Sequence, residues 1–178
     1  RGLLNLRTTP EAMPLFKSKK NIDLFVRHGV FTEEEVVTRT EIMLDNYCKV
    51  LHIESMTMQE MIIRDVIPAV NKYIGDLSRS ITDAIKACPA ANMTAQSDMV
   101  NKLSSLVAEA YKQTGNLKAA TDKTEKVEGV EKKSMTYKDK VIPIMEKVRA
   151  CADSMEQLTA AEYWPMPTYG EILFSVNE

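Results

Sequence analysis

The chain has 178 residues, 44% hydrophobic and 27% charged, with a formal net charge of −2; this balance excludes a disordered tail, a fibre and a strongly basic nucleic-acid binder. No apolar run approaches the roughly 20 residues that cross a bilayer. Six glycines and two histidines leave little material for a phosphate-cradling loop or a His-rich metal site, so composition predicts a helical, soluble, non-catalytic chain.

Helix punctuation sets the elements. Thr9 before Pro10 predicts an N-cap with proline where its missing N–H costs nothing, opening a short helix interrupted at Pro14. Lys19 to His28 reads as a second helix, with Ile22, Phe25 and Val26 on one face and Gly29 as its left-handed stop. Thr32-Glu33-Glu34-Glu35 is a capping box, and its three glutamates suit the positive end of a helix dipole. Apolar residues then recur at helical spacing: Val36, Met43, Tyr47 and Val50, followed by Met58, Ile62, Val66, Val70, Tyr73, Leu77, Ile81 and Ile85. Thr57-Met58-Gln59-Glu60 repeats the capping pattern, which predicts a break near residues 52–57 and two helices in place of one. Cys88-Pro89-Ala90 ends this run.

The next helix is expected to start near Thr94 or Ser97. Its heptad seam is Met99, Leu103, Leu106, Ala110, Gln113, Leu117, Ala120, Thr124 and Val127, diluted by small and polar residues, and Gly129 marks its stop. A last long helix is expected from about Val130 to Glu162, striped by Val141, Met145, Val148, Ala152 and Met155. Pro68 and Pro143 fall inside two of these helices, where each removes a hydrogen bond and kinks the axis. The tail from Tyr163 through Trp164, Pro165, Pro167 and Tyr169 to Phe174 reads as an ordered, extended, non-helical strap. Its aromatics either fold back on the helices or dock on a partner.

Charge is uneven. Residues 1–30 carry six basic and two acidic side chains (+4), and residues 31–63 carry two basic and seven acidic (−5). These stretches are solvated faces, pair with each other, or meet a neighbouring domain. Cys48, Cys88 and Cys151 are odd in number and widely spaced, which speaks for buried thiols in a reducing compartment; Asn92-Met93-Thr94 is then a chance sequon. Arg1 is not an initiator Met and no signal segment follows it, so the chain reads as a piece of a longer protein or a processed product.

Chemistry is sparse. Cys48 and His52 stand four apart on one helix face, a spacing that suits two metal ligands or a thiol–imidazole pair. A structural zinc needs four ligands, and a nucleophilic thiolate needs an accessible electropositive setting, so the expectation is a buried thiol beside an amphipathic His. Met56, Met58 and Met61 are read as adaptable core filler before a promiscuous binding face. Phosphate-loop, dinucleotide, serine-hydrolase and zincin motifs are absent.

Several blocks carry a resemblance. Lys20-Asn21-Ile22-Asp23-Leu24-Phe25 running into Arg27-His28-Gly29-Val30-Phe31-Thr32 is similar to the start of the C-terminal region of type III glutamine synthetases. So are Glu41-Ile42-Met43-Leu44-Asp45-Asn46-Tyr47, Ile53-Glu54-Ser55-Met56-Thr57-Met58 and Ile67-Pro68-Ala69-Val70. Glu162-Tyr163-Trp164-Pro165-Met166-Pro167-Thr168-Tyr169-Gly170 resembles the terminal signature of that family, and Arg1-Gly2-Leu3-Leu4-Asn5 with Thr8-Thr9-Pro10 resembles its join to the catalytic domain. Met166 and Ser55 depart from the pattern, where Phe and Ala are expected, and the likeness is weakest across residues 88–137.

The resemblance implies a part of an enzyme that makes glutamine from glutamate, ammonia and ATP through a γ-glutamyl phosphate. ATP and Mg or Mn would be held by a preceding catalytic part; none of the family's catalytic residues maps onto this chain, which would bind no cofactor itself. The implied partners are the catalytic domain of the same chain and neighbouring subunits of a double hexameric ring, with no nucleic acid and no membrane, in the cytoplasm. The expected fold is all-α: an elongated antiparallel bundle of three long helices, two kinked at Pro68 and Pro143, with short N-terminal helices and an extended aromatic and proline tail. Residues 1–31 would form a linker with short helices, 32–162 the bundle, and 163–178 a docking tail whose candidate interface residues are Tyr163, Trp164, Tyr169 and Phe174. The alternatives are a free-standing helical interaction or adaptor module, and a helical enzyme using Cys48 and His52.

Overall fold

The structure, a computed structural model, describes residues 2, 4–167 and 169–174. The described residues are all-helical, in the order α1 (Thr9–Phe16), α2 (Lys19–Arg27), α3 (Glu33–Met61), α4 (Ile67–Ala87), α5 (Thr94–Glu125), α6 (Val130–Thr136), α7 (Ile142–Glu156) and α8 (Tyr169–Phe174). Two five-residue π-helical segments, Ile62–Val66 and Tyr137–Val141, join α3 to α4 and α6 to α7 without leaving helical geometry. A 3₁₀ turn covers Ala161–Tyr163. Two compact units emerge, one of residues 1–57 with 116–145, the other of residues 58–115 with 146–178.

In the first unit, α1 is capped at Thr8, one residue before the expected Thr9, and it runs through Pro14 to Phe16. Pro14 does not interrupt it: in so short a helix the missing N–H forfeits a single bond, and the ring's fixed φ suits the helix. At the end of α2, Gly29 takes φ +62°, the Val30 N–H reaches the Phe25 carbonyl at 2.9 Å and the Gly29 N–H reaches Val26 at 3.1 Å, which is a Schellman motif. Phe25 packs between Phe16 and Phe31, at centroid distances of 5.4 and 5.6 Å, while Val26 turns outward. The expected capping box is present: the Glu35 N–H reaches Thr32 Oγ1 at 3.2 Å and the Thr32 N–H reaches Glu35 Oε2 at 2.8 Å.

No break falls at residues 52–57, because Thr57 keeps helical backbone and its hydroxyl has no orphan N–H to serve. The buried stripe of α3 also differs from the expected one. Val36, Thr40, Leu44, Cys48, Leu51 and Ser55 face the core, whereas Met43 and Val50 are exposed. The small hydroxyls enter the core because each is satisfied there. Thr40 Oγ1 donates to the Val36 carbonyl at 2.8 Å; Thr121 Oγ1 donates to the Leu117 carbonyl at 2.9 Å and so accepts from Ser55 Oγ, also at 2.9 Å. Met13, Leu117, Thr124, Ser134, Tyr137 and Val141 complete this core.

Within the second unit, Ile62, Val66, Val70, Leu103, Ala110, Val148, Cys151 and Met155 are buried, and Leu103, Ala110, Val148 and Met155 hold their expected seam positions. α5 stops at Glu125, four residues before Gly129, and α7 stops at Glu156, six before the expected Glu162.

Pro68 and Pro143 both lie inside helical backbone, each at the second position of a renewed α-helix. The Ile67 N–H bonds the Ile62 carbonyl and the Ile142 N–H bonds the Tyr137 carbonyl, one residue beyond the α-helical partner. A proline has no N–H for the carbonyl four residues back and its ring collides with that carbonyl. One widened turn immediately upstream relieves both problems.

Candidate functional site

The polar side chains that chemistry would need gather in the first unit around Tyr137, which is fully buried. Its hydroxyl donates a short hydrogen bond to Glu125 Oε1. With that proton committed, the hydroxyl oxygen accepts from His52 Nδ1 at 3.2 Å, which sets the imidazole tautomer. Glu125 is further faced by Lys133 at 3.7 Å and by His52 at 3.7 Å. The Tyr137 hydrogen bond, then the Lys133 charge, hold the Glu125 carboxyl below the usual carboxylate range. Burial first, and the Glu125 carboxylate second, push the Tyr137 hydroxyl far above its ordinary value. These groups neutralise one another.

Cys48 and His52 share a face of α3, but His52 pairs with Tyr137 and Glu125 instead of the thiol. Cys48 is buried and its thiol is pushed up, mainly by burial, which is opposite to what a nucleophile needs. Among the described residues no group of three or more His, Cys, Asp or Glu side chains stands close enough to hold a metal ion. Cys88, by contrast, is exposed. Iodoacetamide at neutral pH should therefore alkylate Cys88 at least about 100-fold faster than Cys48 or Cys151, as read by peptide mass spectrometry. Comparable rates at Cys48 would revive the thiol–imidazole pair.

The tail is not an extended strap throughout. It holds the 3₁₀ turn and the six-residue α8, and its aromatics divide. Tyr163 folds back within the second unit: its ring lies 5.1 Å from that of Tyr73, Lys72 Nζ sits 5.7 Å from its centroid, and its hydroxyl donates to Asp76 Oδ2 at 2.5 Å. Asp76 is in turn paired with Arg79. Trp164 is half-buried. Leu173 and Phe174 are 71% and 79% exposed, so this end of the tail offers apolar surface. The Tyr169 side chain lies outside the described groups.

The acidic stretch behind the capping box proves informative. Glu11 binds Lys138 at 2.8 Å and Lys17 pairs with Glu131, so the N-terminal helices engage α6 and the π segment after it; among the described residues no ion pair joins them to the acids of α3. Glu33, Glu34, Glu41 and Glu54 have no ion-pair partner among the described residues. Between those acids the outward side of α3 shows Ile42 at 61% exposure, Met43 at 48%, Val50 at 44% and Ile53 at 63%. Met56 and Met61 are exposed too, against the expectation of core filler. Met43, Tyr47, Val50, Leu51 and Glu54, with Thr9 of α1, line a groove of about 350 Å³. Among the described residues the buried Tyr47 hydroxyl has no hydrogen-bond partner. This face went unseen in the sequence because its residues satisfy the same helical spacing as a core stripe.

The likeness to known proteins extends along the chain. Residues 1–85 match the family model for the glutamine synthetase C-terminal domain. Over 177 residues, 99% of this chain, it is 39% identical to a glutamine synthetase of Butyrivibrio fibrisolvens, covering 25% of that protein. A type-3 glutamine synthetase of Dictyostelium discoideum is 28% identical over 98% of this chain and 24% of its own length. A glutamine synthetase of Bacteroides fragilis (strain YCH46) is 24% identical over 98% of this chain and 25% of its own length. The chain thus spans about a quarter of the length of the curated relatives it matches. With the family model matched over residues 1–85 and a 39% identical relative aligned over 99% of this chain's length, the chain belongs to the glutamine synthetase C-terminal domain family.

Proposed function

We propose that this chain is the C-terminal region of a type III glutamine synthetase and acts there as a non-catalytic support for the catalytic domain and for subunit assembly. The supporting observation is the likeness over 98–99% of the chain to glutamine synthetases about four times its length, one of them named type-3. The parent is an ATP-dependent glutamate–ammonia ligase of the cytoplasm; its ATP and Mg or Mn belong to the part outside this chain, and its other partners are neighbouring subunits of a homo-oligomer. Residues 1–31 join the two parts, residues 32–162 form an antiparallel bundle of long helices bent at Pro68 and Pro143, and residues 163–178 dock. The widened turns before both prolines support the bends.

Exposed aromatic and aliphatic side chains supply much of the energy of such contacts once desolvated. In the full-length protein Phe174→Asp is expected to shift the assembly midpoint to about tenfold higher protein concentration, equivalent to about 1.4 kcal/mol. Native mass spectrometry across a dilution series reads this. An unchanged distribution of oligomers would remove the tail from assembly, and a parent gene without an upstream catalytic part would favour a free-standing adaptor.

A further inference from the structure

The chain passes between its two compact units three times, after residues 57, 115 and 145, and each passage lies inside a helix: α3, α5 and α7. Each has a point of weakness close by. At the first, the π segment Ile62–Val66 begins four residues past Met58, with Pro68 behind it. At the third, the π segment Tyr137–Val141 ends four residues short of Met145, with Pro143 between them. A widened turn ahead of a proline is where a helix axis bends most readily. The second passage carries Gly115 itself, in the interior of the 32-residue α5. A glycine there weakens a helix relative to alanine. Neither conformation nor crowding requires it: its φ is outside the left-handed region, and an added Cβ would meet nothing within 4 Å. Beside it, the buried Thr114 hydroxyl donates to the Ala110 carbonyl at 2.8 Å, a back-bond that favours bending. α5 is compliant at this point.

We infer that these three places act as one hinge: the helices flex there together, and the two units change their mutual angle while each keeps its own core. Those cores hold Val36, Leu44, Leu117 and Tyr137 in the first unit and Val70, Leu103, Val148 and Met155 in the second. A close-packed core resists deformation, so bending concentrates where the backbone is weakest. One weak point in a single helix would be restrained by the other two; a weak point at every passage leaves the motion free. The helices α1 and α2 belong to the first unit and Tyr163 to the second. Under the reading proposed above, bending would relay movement of the catalytic part to the tail; the hinge itself does not rest on that reading.

The test uses the full-length protein, with spin-labelled subunits diluted into unlabelled ones and distances read by double electron–electron resonance. Nitroxides at Lys49→Cys and Asn71→Cys, exposed positions of α3 and α4 in different units, report across the first passage in a Cys88→Ser background. Their distance distribution should be at least about twofold broader than those of two pairs within single units, Lys49→Cys with Asp122→Cys and Asn71→Cys with Lys102→Cys. Gly115→Ala should narrow the cross-passage distribution by about a third or more, because alanine fits without a clash and stiffens α5. Gly75→Ala has equal room in α4 but lies inside the second unit, and it should leave the width unchanged. A cross-passage width equal to the within-unit widths would overturn the hinge. So would a width indifferent to Gly115→Ala, because the passages would then not bend together. Equal narrowing by Gly75→Ala would overturn it as well, since general helix stiffness would then set the width.

Discussion

Tyr137→Ala is expected to cost the chain about 3–5 kcal/mol of stability in a urea titration followed by far-UV circular dichroism. Tyr137 is the largest of the fully buried side chains, so truncation opens a cavity that the fixed helices around it fill only in part. Tyr137→Phe separates the ring from the hydroxyl. It should cost about 1 kcal/mol, because Glu125 is partly exposed and can turn to water when its donor is lost.

The two variants also differ from the parent in pH dependence. Glu125 has a folded pKa depressed below its ordinary value of 4.5, first through the Tyr137 hydrogen bond. A depressed carboxylate contributes stability that is fully present above the unfolded pKa and is lost as pH falls through the folded one. The deficit of Tyr137→Phe relative to the parent should therefore be largest near neutrality and shrink below about pH 4. A deficit that stays constant down to that pH would mean that the hydroxyl acts without Glu125.

Val66→Asp carries the second large effect. Val66 is fully buried in the π segment ahead of Pro68, and no basic side chain pairs there to receive a carboxylate among the described residues. An unpaired buried charge should cost more than about 4 kcal/mol, enough to abolish a cooperative transition in a chain of ordinary stability. Three residues earlier, Ile63 is 40% exposed, and Ile63→Asp should cost about 1 kcal/mol or less. The ratio of the two reports the phase of the helix through the widened turn. Equal effects would mean that the segment does not hold Val66 inward.

The sequence by itself determined the all-helical class and several local signals along it. The capping box at Thr32, the left-handed Gly29, the prolines Pro68 and Pro143 inside helices and the seam of Leu103, Ala110 and Leu117 all depend on contacts within four residues along the chain or on one repeating period. It also carried enough of the family pattern to point to glutamine synthetase. Which side of α3 faces the core was decided only in the tertiary structure. Met43 and Val50 outrank Thr40 and Ser55 in hydrophobicity, yet the hydroxyls lie inside, because the Val36 carbonyl and the Ser55–Thr121 pair satisfy them at close helix approach. The tail was decided the same way: Tyr163 turned inward once Tyr73 and Asp76 stood opposite it, a pairing 87 residues apart in the chain that no local pattern encodes.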